Sequence, residues 1–513
     1  MTKASVKYSV IPKPVRYEVK NETVEISENT EIRCFKDFAA AGNYLSDYLK
    51  TVENASEGMI LISKAESIAP EGYALYTDNG TIQIKASTVK GAFYAVVTLK
   101  WILMQVKKVD GKKTVQGFLI EDKPKYPHRG VMLDEARHFF GKDVVKKLLD
   151  NMALLKLNTF HWHLADDQGY RIESKAFPKL NEIGSKRRCA DLQGLGQKGG
   201  GGEYGPYYYT FDEIREIVDY AAKLQITVIP ELDVPGHCSA MAAAYPELVC
   251  WGKPTEVICT NGIMKSIMCA GSENTFEFLD KLFDEICPLF DGKYFHIGGD
   301  EARYDYWKTC PECQARMKEN SLKTEKQLQI YFMNRVNGML KQRGKSCISW
   351  NDCLSDELDG DIACQYWFPS NKKTVKKQSK KRDIILSPIG NFYFDMKYAR
   401  IPTEKVYRFS VKKEGFKDAK VKGVEAELWT EWIDGGDVVE YSLYPRVAAV
   451  AEVGWTSVEQ REYKDFERRL KFYELYLKSA RINYYKHKHS LFASHFKPGY
   501  SFGRNGKEFK NNK

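Results

Sequence analysis

The sequence holds no run of about 18 apolar residues, so no segment has the makings of a membrane-crossing helix. Its start, Met1-Thr2-Lys3-Ala4-Ser5-Val6, lacks the apolar core of an export signal. That start suits either a cytoplasmic chain or a mature form with a restored start codon. The expectation is a secreted or periplasmic mature form lacking its signal, with a cytoplasmic chain as the alternative. No phosphate loop and no dinucleotide fingerprint occur. No RNA or DNA recognition module occurs either, so nucleic acid is not an expected partner. Among 12 cysteines there is one CxxC, Cys310-Pro311-Glu312-Cys313, without a second pair downstream. A zinc site needs four ligands, so the reading here is no metal, and either a local disulfide or two free thiols. Cys347 and Cys364 stand in apolar contexts and read as buried small hydrophobes. With no complete metal-ligand set and no cofactor motif, chemistry without a cofactor is the expectation.

What is abundant is aromatic and basic. The 513 residues include 31 Tyr, 26 Phe and 9 Trp, and the formal net charge is +10. Flat apolar rings serve cores first and stack on sugars or bases second. Part of the positive excess lies in Lys372, Lys373, Lys376, Lys377, Lys380, Lys381 and Arg382. Their i, i+4 repeat reads as the solvated face of a helix rather than a polyanion patch.

The most informative stretch is His296-Ile297-Gly298-Gly299-Asp300-Glu301. Neighbouring side chains on a strand point to opposite faces, so Asp300 and Glu301 can serve one ligand only where the strand ends and turns. Glycine lets the backbone approach a ligand closely there. Two adjacent carboxyls disfavour joint ionisation, which suits a pair with one protonated acid and one anion.

Residues 1–122 read as a small mixed α+β domain, with a hairpin of Tyr73–Tyr76 and Ile82–Ile84 turning at Asp78-Asn79-Gly80. A helix is expected from Gly91 to Leu103, and Asp122–Pro127, with two prolines, is the linker. Residues 123–485 alternate strand and helix. Strand candidates are Gly130–Asp134, Thr159–Leu164, Ile226–Leu232, Tyr294–Ile297, Cys347–Trp350, Ile362–Tyr366, Asp383–Ser387 and Val424–Leu428. Helices fill most gaps: Lys142–Leu155, Phe211–Lys223, Thr275–Cys287, Glu325–Lys341 and Lys372–Lys381, with another over Asp437–Val453. This is the pattern of an α/β protein with a (β/α)8 TIM barrel. Gly194–Gly205 is an inserted loop after the second strand, and residues 486–513 form a basic extension.

Such barrels build their sites at the carboxyl ends of the strands. Just past the candidate strands stand Asp134 and Arg137; His163, Asp166 and Asp167; Glu231, Asp233 and His237; Asp300 and Glu301; Trp350 and Asp352; Trp367; Tyr393 and Asp395; Trp429 and Glu431. Acids, one arginine and tryptophans suit a neutral, hydroxyl-rich ligand with an apolar ring face, which describes a sugar. Ordinary glycosidases pair two carboxyls across the bond. Adjacent acids fit better a mechanism in which the substrate's own N-acetyl group is the nucleophile, with Glu301 as acid/base and Asp300 orienting the acetamido nitrogen.

These residues bring a family into view. Arg129–Asp134 with Ala136–Phe140, His161–Gln168, Pro230–His237 and His296–Glu301, in this order, resemble glycoside hydrolase family 20, the β-N-acetylhexosaminidases. The resemblance runs from Arg129 to about Trp455, and residues 1–120 resemble the family's small N-terminal domain. It implies a retaining exo-glycosidase without metal or cofactor that releases terminal N-acetylglucosamine or N-acetylgalactosamine from a glycan. Glu301 then matches the general acid/base, Asp300 the acetamido carboxylate, and Tyr393 the hydroxyl on the acetamido oxygen. Asp166 and His237 match a supporting pair, and Arg137 a ligand of O3 and O4. Trp350, Trp367 and Trp429 match the aromatic pocket, Asp395 and Glu431 the acceptors for O4 and O6. One departure is the absence of a tryptophan before the last strand, where Tyr407-Arg408-Phe409 stands; a more open wall that admits sulfated sugars is the expectation drawn from it. The alternatives are a disaccharide-releasing member of the family, a catalytically silent glycan-binding barrel, and a polyanion-binding scaffold built on the lysine run. Oligomeric state is left open.

Overall fold

A computed structural model describes residues 7–193, 200–252, 256–417, 420–486, 500–502 and 508–510. The expected loop Gly194–Gly205 and the basic extension therefore lie partly outside the described residues.

The first unit is a six-stranded sheet: β1 (Arg16–Ile26), β2 (Thr30–Cys34), β3 (Glu57–Lys64), β4 (Tyr73–Asp78), β5 (Thr81–Ala86) and β6 (Lys113–Asp122), in the order β1-β6-β4-β5-β3-β2. The expected hairpin is present, with Asp78 opposite Thr81. Asn79 and Gly80 both take positive φ, the geometry a two-residue turn between twisted strands demands. Helices α1 (Ala39–Leu49) and α2 (Val89–Met104) cover the sheet. Thr88 caps α2 by accepting from the Gly91 N–H at 3.2 Å. The helix then buries Phe93, Val96, Val97, Leu99, Trp101 and Leu103 over Ile60, Ile62, Leu75, Ile82 and Ile84.

The second unit is a closed parallel barrel. After β7 (His128–Asp134) and β8 (Thr159–His163) comes a short hairpin, β9 (Ala165–Asp166) and β10 (Gly169–Tyr170). The barrel continues with β11 (Thr227–Glu231), β12 (Tyr294–His296), β13 (Ser346–Trp350), β14 (Ala363–Tyr366), β15 (Ile384–Leu386) and β16 (Val421–Leu428), and β16 closes on β7. All eight expected strands are present. The helices agree as well, although the last is split at Tyr444-Pro445 into Gly436–Leu443 and Arg446–Trp455. Proline has no N–H to continue a helix. The lysine-run helix is also shorter, Lys372–Gln378. Lys372 pairs with Glu414, Lys377 pairs with Asp356, and Arg382 is buried on the carbonyls of Leu358, Asp359 and Ile362. Lys373, Lys376, Lys377, Lys380 and Lys381 are exposed, as the solvated helix face read from the spacing requires, but Lys380, Lys381 and the buried Arg382 lie beyond the helix end.

Alternate residues on each strand face opposite ways. Phe160, Trp162, Val228, Phe295, Cys364, Leu386, Val424 and Leu428 belong to the main core under the helices. Ile229, Ile348, Ala363 and Ile385 form a separate cluster inside the barrel. Above it the lumen turns ionic. Glu231 accepts from His163 Nδ1 and from Trp350 Nε1 at 2.9 Å, with His296 Nδ1 lying 2.8 Å and His161 Nε2 3.1 Å from its oxygens. His161 Nδ1 also meets Glu425 at 2.8 Å, and Gln365 bridges Glu425 and Glu427. The two units are locked by buried polar groups. Lys156 Nζ lies 3.1 Å from Asp122, which also accepts from the Trp455 indole at 2.8 Å, while Arg129 reaches Glu71 and Tyr94.

Candidate active site

Strand β12 ends at His296, and the chain turns with φ of 61° at Gly298, 92° at Gly299 and 48° at Glu301. The left-handed turn breaks strand alternation and brings Asp300 and Glu301 to one cavity, as adjacency required. A Cβ on Gly298 would fall 1.7 Å from Asp233 Oδ1, so glycine alone admits Asp233 beneath the turn. Asp233 accepts from the Gly299 N–H at 3.1 Å and hydrogen-bonds Asp300. Burial and the neighbouring Asp300 charge push Asp233 well above the carboxylate range, which makes it the proton donor of that pair.

His237 stands between the acids. Its Nε2 lies 3.7 Å from both Asp300 Oδ2 and Glu301 Oε2, and its Nδ1 lies 3.1 Å from Asp166. Burial opposes the cation, but Asp166 and Asp300 outweigh it and hold the imidazole well above its ordinary value. Burial likewise raises both acids, Asp300 to about 6, against the pull of the His237 charge. The result is a pair that readily retains one proton. Asp352, pushed to about 6 by burial and then by the Asp300 charge, accepts from the Glu301 N–H and from the Trp367 indole at 2.7 Å.

Arg137 is fixed on three sides. Its Nε donates to Gln168 at 2.9 Å, while NH1 and NH2 meet Asp134 at 3.2 Å and Asp166 at 2.8 Å. Burial would raise Asp166, yet Arg137 and His237 hold it far below the carboxylate range. The guanidinium lies over Trp429 with 5.0 Å to the ring centroid.

Arg137, His237, Asp300, Glu301, Trp367, Tyr393, Asp395, Trp429 and Glu431 line one cavity of about 250 Å³. Trp367 stacks on Tyr393 at 5.9 Å, and the Trp429 indole donates to the Tyr393 hydroxyl. Burial, with Glu431 adding its charge, raises Asp395 to about 7; burial also raises Glu431, against Arg137. Oδ1 of Asp300 and Oδ1 of Asp395 are buried and lack a protein partner, acceptors ready for a ligand's N–H or O–H.

Two expectations need correction. Trp350 backs the pocket rather than lining it. It is 1% exposed, bonded to Glu231 and packed behind Trp429 at 5.9 Å, because it ends β13 pointing into the lumen. The segment Tyr407–Phe409 does not form a pocket wall either: Tyr407 stacks on Phe466 and Phe409 packs on Phe392. The openness inferred from the absence of a tryptophan there loses its basis. Trp432, Met396 and Ile389 line the cavity but were not read from the sequence. Trp432 sits one residue beyond Glu431 and was within reach of the strand-end argument; Met396 and Ile389 carry no such signal.

Residues 126–458 match the glycosyl hydrolase family 20 catalytic domain, and residues 7–123 match that family's domain 2. The chain belongs to glycosyl hydrolase family 20. The family's catalytic match thus contains all the site residues named above. The β-hexosaminidase of Porphyromonas gingivalis is 34% identical over 510 residues, 93% of this chain and 64% of that protein. The chain thus spans just under two thirds of that relative's length. A family 20 exo-β-N-acetylglucosaminidase of Vibrio harveyi, solved with N-acetylglucosamine, superposes with a TM-score of 0.83 at 29% identity, covering 94% of this chain and 79% of its own. The Streptomyces plicatus N-acetyl-β-hexosaminidase gives 0.80 at 30% identity, covering 94% and 98%.

Proposed function

We propose that this family 20 protein is a retaining exo-β-N-acetylhexosaminidase working by substrate assistance. The carrying observation is the Asp233–Asp300–His237–Glu301 arrangement. Asp300, steadied by the Asp233 carboxyl and the His237 cation, has a buried free oxygen for the acetamido N–H. With that N–H held, the acetamido carbonyl oxygen attacks the anomeric carbon as the bond to the leaving-group oxygen breaks. Glu301 passes its proton to that oxygen. The cyclic oxazolinium is then opened by water, whose proton returns to Glu301, and the β configuration is retained. Tyr393 is suited to bind the acetamido oxygen, while Asp395, Glu431 and Arg137 face the ring hydroxyls. A cavity of about 250 Å³ suits one pyranose, which favours release of a monosaccharide over a disaccharide. A secreted or periplasmic setting belongs to the same proposal and accords with the Cys189–Cys259 disulfide.

Glu301→Gln is expected to lower kcat/KM by about 10²–10⁴ on substrates whose leaving group needs a proton, and far less on glycosides of acidic phenols. Asp300→Asn is expected to lose about 10²–10³ on both. Equal turnover of glycosides with a plain hydroxyl at carbon two would overturn the substrate-assisted scheme.

A further inference from the structure

The CxxC does not stand alone in space. Cys310 and Cys313 begin the helix Pro311–Glu319 and carry no disulfide. Two cysteines from a different loop, Cys250 and Cys269, meet them, joined to each other by the bridge Val249–Met268. The sulfur separations are 3.8 Å for Cys250–Cys313, 3.8 Å for Cys269–Cys310 and 3.6 Å for Cys269–Cys313. All four sulfurs lie within 4.8 Å of one another. Four sulfurs bonded at about 2.3 Å to a tetrahedral zinc sit about 3.8 Å apart. These spacings are far beyond a disulfide bond and match that tetrahedron.

We propose that Cys250, Cys269, Cys310 and Cys313 form a structural zinc site with four thiolate ligands. The surroundings are built for it. Backbone N–H groups of Gly271 and Ser272 donate to the Cys269 sulfur, as thiolates on a metal require. A Cβ on Gly271 would lie 2.1 Å from the Glu312 carbonyl carbon and 2.3 Å from the Cys313 nitrogen, so glycine there lets the two loops close on the four sulfurs. Three of the cysteines are buried, and four thiolates leave no open position for catalysis. Soft thiolates select zinc over calcium or magnesium. Glu312 Oε2, 3.6 Å from Cys269, is on an exposed residue and free to turn outward.

The site's place gives it a purpose. Cys250 and Cys269 follow β11, the strand that leads to His237, while Cys310 and Cys313 follow β12, the strand that leads to Asp300 and Glu301. Met268 N–H donates to the Pro235 carbonyl at 2.8 Å, and the Trp307 indole donates to the Met268 carbonyl at 2.9 Å. Zinc would pin these two loops together and so hold the histidine against the acids.

The test is metal analysis of the protein purified without reductant or chelator. The expected result is one zinc per chain, lost in Cys310→Ser/Cys313→Ser, and four thiols that resist alkylation until a chelator strips the metal. Cobalt exchange should give the absorption of tetrahedral cobalt–thiolate. Stripping should lower the melting temperature by several degrees. Because the double variant can fail to fold, the alkylation map of the wild type decides independently. Substoichiometric zinc with all four thiols reactive in the native protein would overturn the proposal. So would disulfides among the four, iron in place of zinc, or zinc retained by a folded Cys310→Ser/Cys313→Ser.

Discussion

The N-terminal sheet and the barrel lumen are both closed to water, yet they are filled in opposite ways. Between the sheet and α2 the contacts are Leu75, Ile82, Ile84, Val96 and Leu99, apolar and interchangeable in kind. Inside the barrel, above a thin layer of Ile229, Ile348, Ala363 and Ile385, the space belongs to His161, His163, Glu231, His296, Gln365 and Glu425. The apolar core is held by area removed from water, a term indifferent to pH. The lumen is held by ion pairs that are costly to desolvate and costlier to break singly. It therefore ties stability to the protonation states that position the site, since Glu231 holds His163, which in turn meets Asp166, the partner of Arg137 and His237.

The largest expected effect is at the hub. Glu231→Gln removes the carboxylate shared by His161, His163 and His296, leaving His161 with Glu425 and His163 with Asp166, and is expected to cost about 3–5 kcal/mol in denaturant unfolding. It should also flatten the stability–pH profile. Although burial opposes it, the carboxylates hold His161 at about 10 and His163 at about 9, above the ordinary 6.5. That contribution is whole below pH 6.5 and is lost as pH rises through 9 to 10. Glu231 and Glu425 are held below the ordinary 4.5, so their contribution is present above that pH and lost as the pH falls below it. A profile unchanged by Glu231→Gln would remove the distinction between the two cores.

Leu75→Ala in the apolar core is expected to cost about 2–5 kcal/mol by the same measurement. Its loss should be the same at every pH across the stable range, with kcat/KM of the folded fraction unchanged. A pH-dependent loss would show that the sheet, too, is held by charge.

The smallest effect, yet the most specific, is expected for His237→Gln. Removing a cation 3.7 Å from both acids disfavours their ionised forms, so both pKa values rise. Both limbs of the pH–kcat/KM curve should move alkaline by about one pH unit or more. Movement of neither limb would mean that His237 only positions the acids.

Much of this was legible in the residues. The barrel strands are short apolar runs between helices of clean period, such as Phe211–Lys223, whose buried Ile214, Ile217, Val218 and Ala221 follow the 3.6 repeat. Much of the pocket could be read because Arg137, Asp300, Glu301, Trp367, Trp429 and Glu431 lie within a few positions of a strand end, whereas Tyr393 and Asp395 stand farther along the loop after the strand that ends at Leu386. Trp350 was misplaced for a physical reason: it is the last residue of its strand, where the side chain still obeys strand alternation and points inward, one step short of the rim.

The amino-acid order determined what depends on neighbours in the chain: strand and helix period, turn chemistry at Asn79-Gly80 and Gly298-Gly299, and the adjacency of Asp300 and Glu301. Only the folded structure decided what depends on meetings across long separations. Cys250 and Cys269 reach Cys310 and Cys313 because two loops leave neighbouring strands of one barrel, and Glu231 gathers three histidines because parallel register puts β8, β11 and β12 side by side. No local pattern marks such encounters, since closing the barrel, and not the spacing of the residues, sets their distances.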